Sequence, residues 1–241
     1  MLRRLVLAGL LSGSSLFAAD FPRELRDDFE GSRLASFWLP GNYGSGLYAA
    51  GAVEVSTNYA RGGRQSLRVT VREGEVASPG GDGKMTERAD LDSGHFSLLG
   101  KEATYSFSVL FPKDFPIVDT RLVFGTCKQS DVARPIVAER FRKGRHTFTI
   151  ESQGRRKEFA LPKITLGSWH DIRYRVRYET NSTGLVEAWF DGKKVVDYRG
   201  PTAEAGYKNA FYQKFGLYRD RMKQPMTAYF DDFSMRIESA D

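Results

Sequence analysis

The 241-residue chain is 41% hydrophobic and 13% aromatic, carries a formal net charge of +6, and has one cysteine, Cys127. That is enough apolar material for a large core, and a single all-β domain of about 200–250 residues is ordinary. One cysteine excludes an intrachain disulfide, and no His/Cys cluster has the spacing of a zinc or copper centre. The positive balance favours an acidic partner, but basic residues are interspersed with acids rather than gathered in a tail, so we expect no nucleic-acid partner.

At the start, Arg3 and Arg4 precede an apolar run to about Phe17, followed by Ala18, Ala19 and the polar Asp20. This is the layout of a secretory signal peptide, and the run is too short for a comfortable membrane span. We expect a leader at 1–19, one domain at 20–241, a secreted or periplasmic location, and no stable membrane insertion after cleavage. Next comes a Gly-rich stretch, Pro40-Gly-Asn-Tyr-Gly-Ser-Gly46, flanked by Trp38 and Tyr48. Such a loop can present Tyr43 to a flat ring, while Trp38 suits core packing equally well.

From there almost every segment reads as strand or turn. Expected strands cover 53–56, 65–71, 86–91, 104–111, 121–128, 136–139, 146–151, 170–178, 185–190, 193–198, 214–218 and 227–238. Tyr105, Phe107, Val109 and Phe111 alternate onto one face. Ile172, Tyr174, Val176 and Tyr178 do the same, with Arg173, Arg175 and Arg177 opposite them as a solvated face. Asp191-Gly192 between two strand patterns marks a two-residue hairpin. With no helical period, the pattern predicts a single-domain β-sandwich or jelly roll.

Three of these segments belong together. In Thr86-Glu-Arg-Ala-Asp-Leu91 the alternation groups Thr86, Arg88 and Asp90. In Phe124-Gly-Thr-Cys-Lys-Gln129 it groups Thr126 with Lys128. In Tyr212-Gln-Lys-Phe-Gly-Leu-Tyr-Arg219 it groups Tyr212, Lys214, Gly216 and Tyr218, with Phe215 and Leu217 opposite. A cation and two phenols around a glycine leave room for an anionic ring to lie across the strand. Near the two ends, Asp27, Asp28, Glu30, Asp231 and Asp232 are hard oxygen ligands suited to Ca²⁺.

The three segments resemble the Arg-x-Glu-Leu, Gln-x-His and Tyr-Phe-Lys-x-Gly-x-Tyr strands of jelly-roll polysaccharide lyases: alginate lyases, glucuronan lyases and heparin lyase I. Phe111-Pro-Lys-Asp-Phe-Pro116, Trp169-His-Asp-Ile172, Trp189-Phe-Asp-Gly-Lys193 and Tyr198-Arg-Gly-Pro201 resemble the glucuronan lyase and heparin lyase I branch. The resemblance implies a concanavalin A-like sandwich of two antiparallel sheets with a concave groove. It also implies β-elimination on a uronic-acid polymer. Arg88 would face the sugar carboxylate, Tyr218 would be the acid and also a candidate base, and Lys214, Tyr212, Arg219, Asp90 and Tyr43 would hold the sugar. No organic cofactor is implied. A structural Ca²⁺ at Glu30 and Asp232 is, and we expect a monomer whose partner is an acidic polysaccharide.

The second strand departs from the family pattern, with Thr126-Cys127-Lys128 standing where Gln-x-His is expected. Three readings stay open. Lys128 acts as base or neutralising cation, Gln129 supplies the amide with His95 as the imidazole, or the groove binds uronate chains without cutting them. His146 and His170 read as structural. A glycoside hydrolase needs two carboxylates across the scissile bond, and no Glu-x-Asp-x-x-Glu strand is present.

Overall fold

The computed structural model describes residues 24–40, 49–75, 78–80 and 82–238. The expected leader and Tyr43 lie outside them. In chain order the strands are β1 (Glu24–Asp27), β2 (Leu39–Pro40), β3 (Val53–Ser56), β4 (Ser66–Val71), β5 (Ser78–Pro79), β6 (Met85–Asp92), β7 (Glu102–Leu110) and β8 (Leu122–Gln129). They continue as β9 (Val137–Arg142), β10 (Arg145–Ser152), β11 (Arg155–Ala160), β12 (Trp169–Arg177), β13 (Leu185–Phe190), β14 (Lys193–Arg199), β15 (Phe211–Asp220) and β16 (Met226–Glu238). No helix occurs among the described residues.

Two antiparallel sheets form the sandwich that the alternation predicts. One runs β14-β13-β12-β7-β16-β4-β3, with β1 on β16. The other runs β11-β10-β9-β8-β15-β6-β2, with β5 on β6. The alternating residues of β7 and β12 turn inward: Tyr105, Phe107, Val109, Ile172, Tyr174 and Val176 are all buried. They meet Phe215 and Leu217 of β15, with Phe107 stacked on Phe215 at 5.7 Å. Each such side chain contributes about 1.5–3 kcal/mol by leaving water, so the core needs no disulfide.

Several polar groups inside the sandwich are paired, whereas the buried Gln213 side-chain amide has no hydrogen-bond partner among the described residues. Glu139 Oε1 lies 2.6 Å from His146 Nε2, its other oxygen accepts from the Tyr174 hydroxyl, and His146 Nδ1 donates to the Pro162 carbonyl. A Cβ on Gly125 would lie 2.7 Å from that hydroxyl, so the glycine makes the space it occupies. His170 pins the 191–192 turn through Asp191. Outside, Arg175 bridges Glu102 and Glu187, and Arg177 pairs with Glu102, which makes the arginine stripe a solvated ion-pair face.

Strand β11 was not among the expected elements. Its side chains are mostly exposed, so an edge strand of this kind has no buried period for the sequence to reveal. Strand β9 also runs to Arg142 rather than stopping at Glu139.

Candidate functional site

Strand β15 lies at the middle of the second sheet, between β6 and β8. Its outward residues pair with those of β6 in direct register: Tyr218 opposite Arg88, Gly216 opposite Asp90, and Lys214 opposite Asp92. Gly216 has φ 137°, and a Cβ there would sit 2.4 Å from the Ala89 carbonyl oxygen and 2.6 Å from Asp90 Cα. Only glycine allows the two strands to approach so closely.

Towards β8 the register slips. Phe215 faces Gly125, but Tyr218 faces Val123, so Gly216 and Leu217 together oppose Phe124. Strand β8 slips against β9 at the same place, between Val123 and Gly125. Such bulges re-aim side chains. Here Phe124 stays in the core, 5.2 Å from Phe111, although strict alternation would put it on the same face as Thr126.

Along the outer face the residues fall into three groups. At one end, the Arg88 guanidinium carbon lies 4.7 Å from the centroid of the Tyr218 ring, and that of Arg121 lies 6.0 Å away. Arg121 is tied to Asp82 at 2.5 Å and Asp220 at 3.0 Å; its hydrogen bond holds the Asp82 carboxyl down at about 2. In the middle, Lys214 Nζ is 3.2 Å from Asp90 Oδ1, both side chains being buried. Thr126 Oγ1 is buried there without a hydrogen-bond partner among the described residues. Asp90, Val123, Thr126, Lys214, Gly216 and Tyr218 line one shallow pocket.

At the other end, the His95 ring stacks on Tyr212 at 4.2 Å with the planes 6° apart. Its Nδ1 is 3.0 Å from Ser130 Oγ, and its Nε2 is 3.5 Å from Asp92 Oδ2. Burial raises the Asp92 carboxyl, against the pull of Lys214 and His95. Lys128 belongs to this end, opposite Tyr212. Tyr212 and Tyr218 are six positions apart on one strand, roughly 20 Å at the usual rise.

These positions correct several expectations. Arg219 is wholly buried, not in the groove. It follows Phe215 and Leu217 onto the core face, pairs with Glu87 at 2.9 Å, and donates to the Met222 and Gln224 carbonyls. Gln129 is also buried. Its amide donates to the Glu204 and Lys208 carbonyls and accepts from the Glu204 N–H, which fixes that loop and leaves nothing for a sugar. Lys128 and His95 lie on the expected face but at the far end from Arg88 and Tyr218. Trp38 is a core residue whose Nε1 donates to Asp27, so Asp27 is engaged in the fold.

Glu30 and Asp232 do come to one place. Hypothetical Cβ atoms on Gly63 and Gly62 would lie 2.4 Å from the Glu30 carboxyl carbon and 3.6 Å from Asp232 Oδ1 respectively. Glu30 Oε1 already accepts the Arg64 and Gln65 N–H groups. Desolvation raises the Asp232 carboxyl, and Asp171 and Asp28 add to the effect. Among the described residues no group of three or more His, Cys, Asp or Glu side chains is placed to hold a metal ion.

Two arginines on the Tyr218 side of the sheet escaped the sequence reading. Arg121 stands just ahead of β8, where the bulge defeats alternation. Arg140 lies beyond the expected end of β9, and carrying the period two residues further would have put it outward, opposite Val123.

A family model described as polysaccharide lyase matches residues 28–234. Among solved structures, the chain is similar to an endo-β-1,4-glucuronan lyase from the fungus Trichoderma reesei. The identity is 16%, the TM-score 0.64, and the coverage 83% of this chain and 94% of that one. An alginate lyase from polysaccharide lyase family 7 aligns with 12% identity and a TM-score of 0.58, over 79% and 84% of the two chains. A further alginate lyase, in complex with dimannuronate, gives 14% and 0.51 over 73% and 76%. No curated protein matches the chain.

Proposed function

The chain belongs to the polysaccharide lyase family, and from that premise we propose that it cleaves an acidic, uronate-containing polysaccharide by β-elimination. The observation that carries this reading is Arg88 beside Tyr218 on the outer face of the central strand pair. Elimination removes the proton at C5 of a uronate and expels the oxygen at C4. That C–H becomes acidic enough only when the neighbouring carboxylate is neutralised, which a fixed cation achieves in the enolate-like transition state. Arg88 takes that role and Arg121 supports it. Tyr218 takes the C5 proton and returns one to the leaving oxygen.

Their distance along β15 from Tyr218 supports placing His95 and Lys128 at a different sugar ring. We assign them, with Tyr212, to holding a sugar further along the face, where the stacked His95 and Tyr212 rings present a platform. Lys214, neutralised by Asp90, positions the middle of the face rather than abstracting a proton. Calcium is a separate part of the proposal. Glu30 and Asp232 would hold it at the 62–63 turn, where it would tie the ends of the chain together without entering the chemistry. Export to the periplasm or exterior, cleavage after residue 19 and a monomeric state complete the reading.

A second reading is that the face binds uronate chains without cutting them. It is favoured by the position of Thr126, a small hydroxyl where relatives of this kind would carry an amide. Both readings are tested by incubating the protein with polyglucuronate, alginate, heparin and hyaluronan while following the far-ultraviolet absorbance of the unsaturated product. A rise that disappears in Tyr218→Phe supports the lyase. Binding with no rise on any polymer overturns it in favour of the binding module.

A further inference from the structure

Arg140 is a partly buried cation that the elimination chemistry does not use. Its neighbour Glu139 points into the core against His146 and Tyr174, so Arg140 faces outward on the same side of the sheet as Tyr218. Its Nε donates to Thr149 Oγ1 at 3.2 Å, and Thr149 Oγ1 donates in turn to the Ala138 carbonyl. That bond ties the guanidinium to the outward side of β10.

Among the described residues no carboxylate forms an ion pair with it. Glu151 and Glu158 lie within electrostatic range, but Glu151 is bound by Arg134 and Arg156, and Glu158 by Arg156. The other charges near Arg140 are two more guanidiniums, Arg121 and Arg156. Burial, reinforced by these two like charges, depresses its ionisation to about 10. A partly buried, like-charge-flanked arginine is a standing cost to the fold. Side chains kept at such a cost are characteristic of sites that bind something.

The register shows what it can reach. Arg88, Tyr218, Val123 and Arg140 form one row across β6, β15, β8 and β9. At about 4.8 Å per strand, Arg140 stands roughly 10 Å from Tyr218 and 14 Å from Arg88. At that backbone separation the two ends of the row have room for a carboxylate each.

We propose that Arg140, oriented by Thr149 and flanked by Arg121 and Arg156, is an anion subsite for the carboxylate of a second, non-adjacent uronate. This rests on the polysaccharide reading and deepens it: the preferred substrate carries acid sugars on both sides of the cleaved bond, and a lone uronate among neutral sugars is a poor one. Planar guanidinium and carboxylate pair through two parallel hydrogen bonds, which is why arginine suits this task better than lysine.

The test uses the full protein carrying Tyr218→Phe, so that binding is read without cleavage. Calorimetry compares glucuronate disaccharide and hexasaccharide with and without Arg140→Gln. We expect about tenfold weaker binding of the hexasaccharide, a shallower salt dependence, and little change for the disaccharide. The melting temperature should hold or rise, because a partly buried charge flanked by like charges has been removed. Arg140→Lys should recover only part of the loss. Unchanged hexasaccharide affinity overturns the proposal, and so does a fall in melting temperature with equal weakening of both ligands, which marks a structural role. Wild-type turnover is read separately. A protein that binds but never cuts sinks the lyase reading and keeps this one, whereas cutting by Arg140→Gln with wild-type KM does the reverse.

Discussion

The guanidinium of Arg88 covers the ring of Tyr218 at 4.7 Å, the two residues standing in direct register on neighbouring strands. The contact fixes the phenol through its aromatic face and does not consume its hydroxyl. A cation over an aromatic ring contributes about 0.5–1 kcal/mol at such a site. Tyr218→Phe keeps that face, so its unfolding free energy should stay within about 0.5 kcal/mol of wild type. Turnover should fall by a factor of about 100 or more, since proton transfer loses its carrier. Arg88→Ala should lose turnover as well as the ring contact. Steady-state kinetics beside urea denaturation checks both, and wild-type rates in either variant would remove these residues from the chemistry.

The pair made by Arg219 and Glu87 behaves differently, because both side chains are fully buried. Breaking one partner strands a charge in the core, so Arg219→Met alone should cost about 3–5 kcal/mol. Arg219→Met with Glu87→Leu should cost less than the two single changes added together. Denaturant midpoints measure this, and a simple sum of the single effects would show that the pair is not coupled.

Gly216→Ala should be severe for so small a change. The added methyl meets the Ala89 carbonyl at 2.4 Å and the φ of 137° is strained for any L side chain. We expect a loss of about 2–4 kcal/mol and disturbed activity in whatever folds, because β15 must move away from β6 and carry Tyr218 with it. Gly192→Ala is the control: its φ is also positive, at 75°, but no atom lies near the added methyl. It should cost about 1 kcal/mol.

Cys127 is buried, and desolvation pushes its thiol up to about 12. Its folded value lies above the unfolded one, so the folded state holds the proton more tightly. Stability is therefore unaffected below about pH 8.5 and declines as the pH rises beyond it towards 12. In the native protein the thiol should resist alkylation at mildly alkaline pH and react once urea unfolds the chain. Rapid labelling of the native protein would contradict the burial of this strand face.

Much of the architecture was legible because it follows from periods of two and from turn chemistry. Tyr105, Phe107 and Val109 on one strand and Ile172, Tyr174 and Val176 on another are buried as their alternation requires. The Asp191-Gly192 hairpin forms with both residues at positive φ, 49° and 75°, as a two-residue turn between twisted strands demands. The same parity places Arg219 on the core side with Phe215 and Leu217, where resemblance alone would put it in the groove. Strand β11 and the end of β9 were not legible, because neither exposed edge residues nor a single outward arginine leaves an apolar period.

By itself, then, the order of residues determined the sandwich, its inward faces and the outward grouping of Lys214, Gly216 and Tyr218, since these depend on local alternation. Only the tertiary structure decided which strands are neighbours and where their register slips. Those choices put Arg88 and Arg121 around Tyr218, sent His95 and Lys128 to the far end of the face, and left Arg140 facing outward with no ion-pair partner among the described residues. They arise from pairings between segments distant in the chain, set by core packing and by a bulge that no local pattern announces.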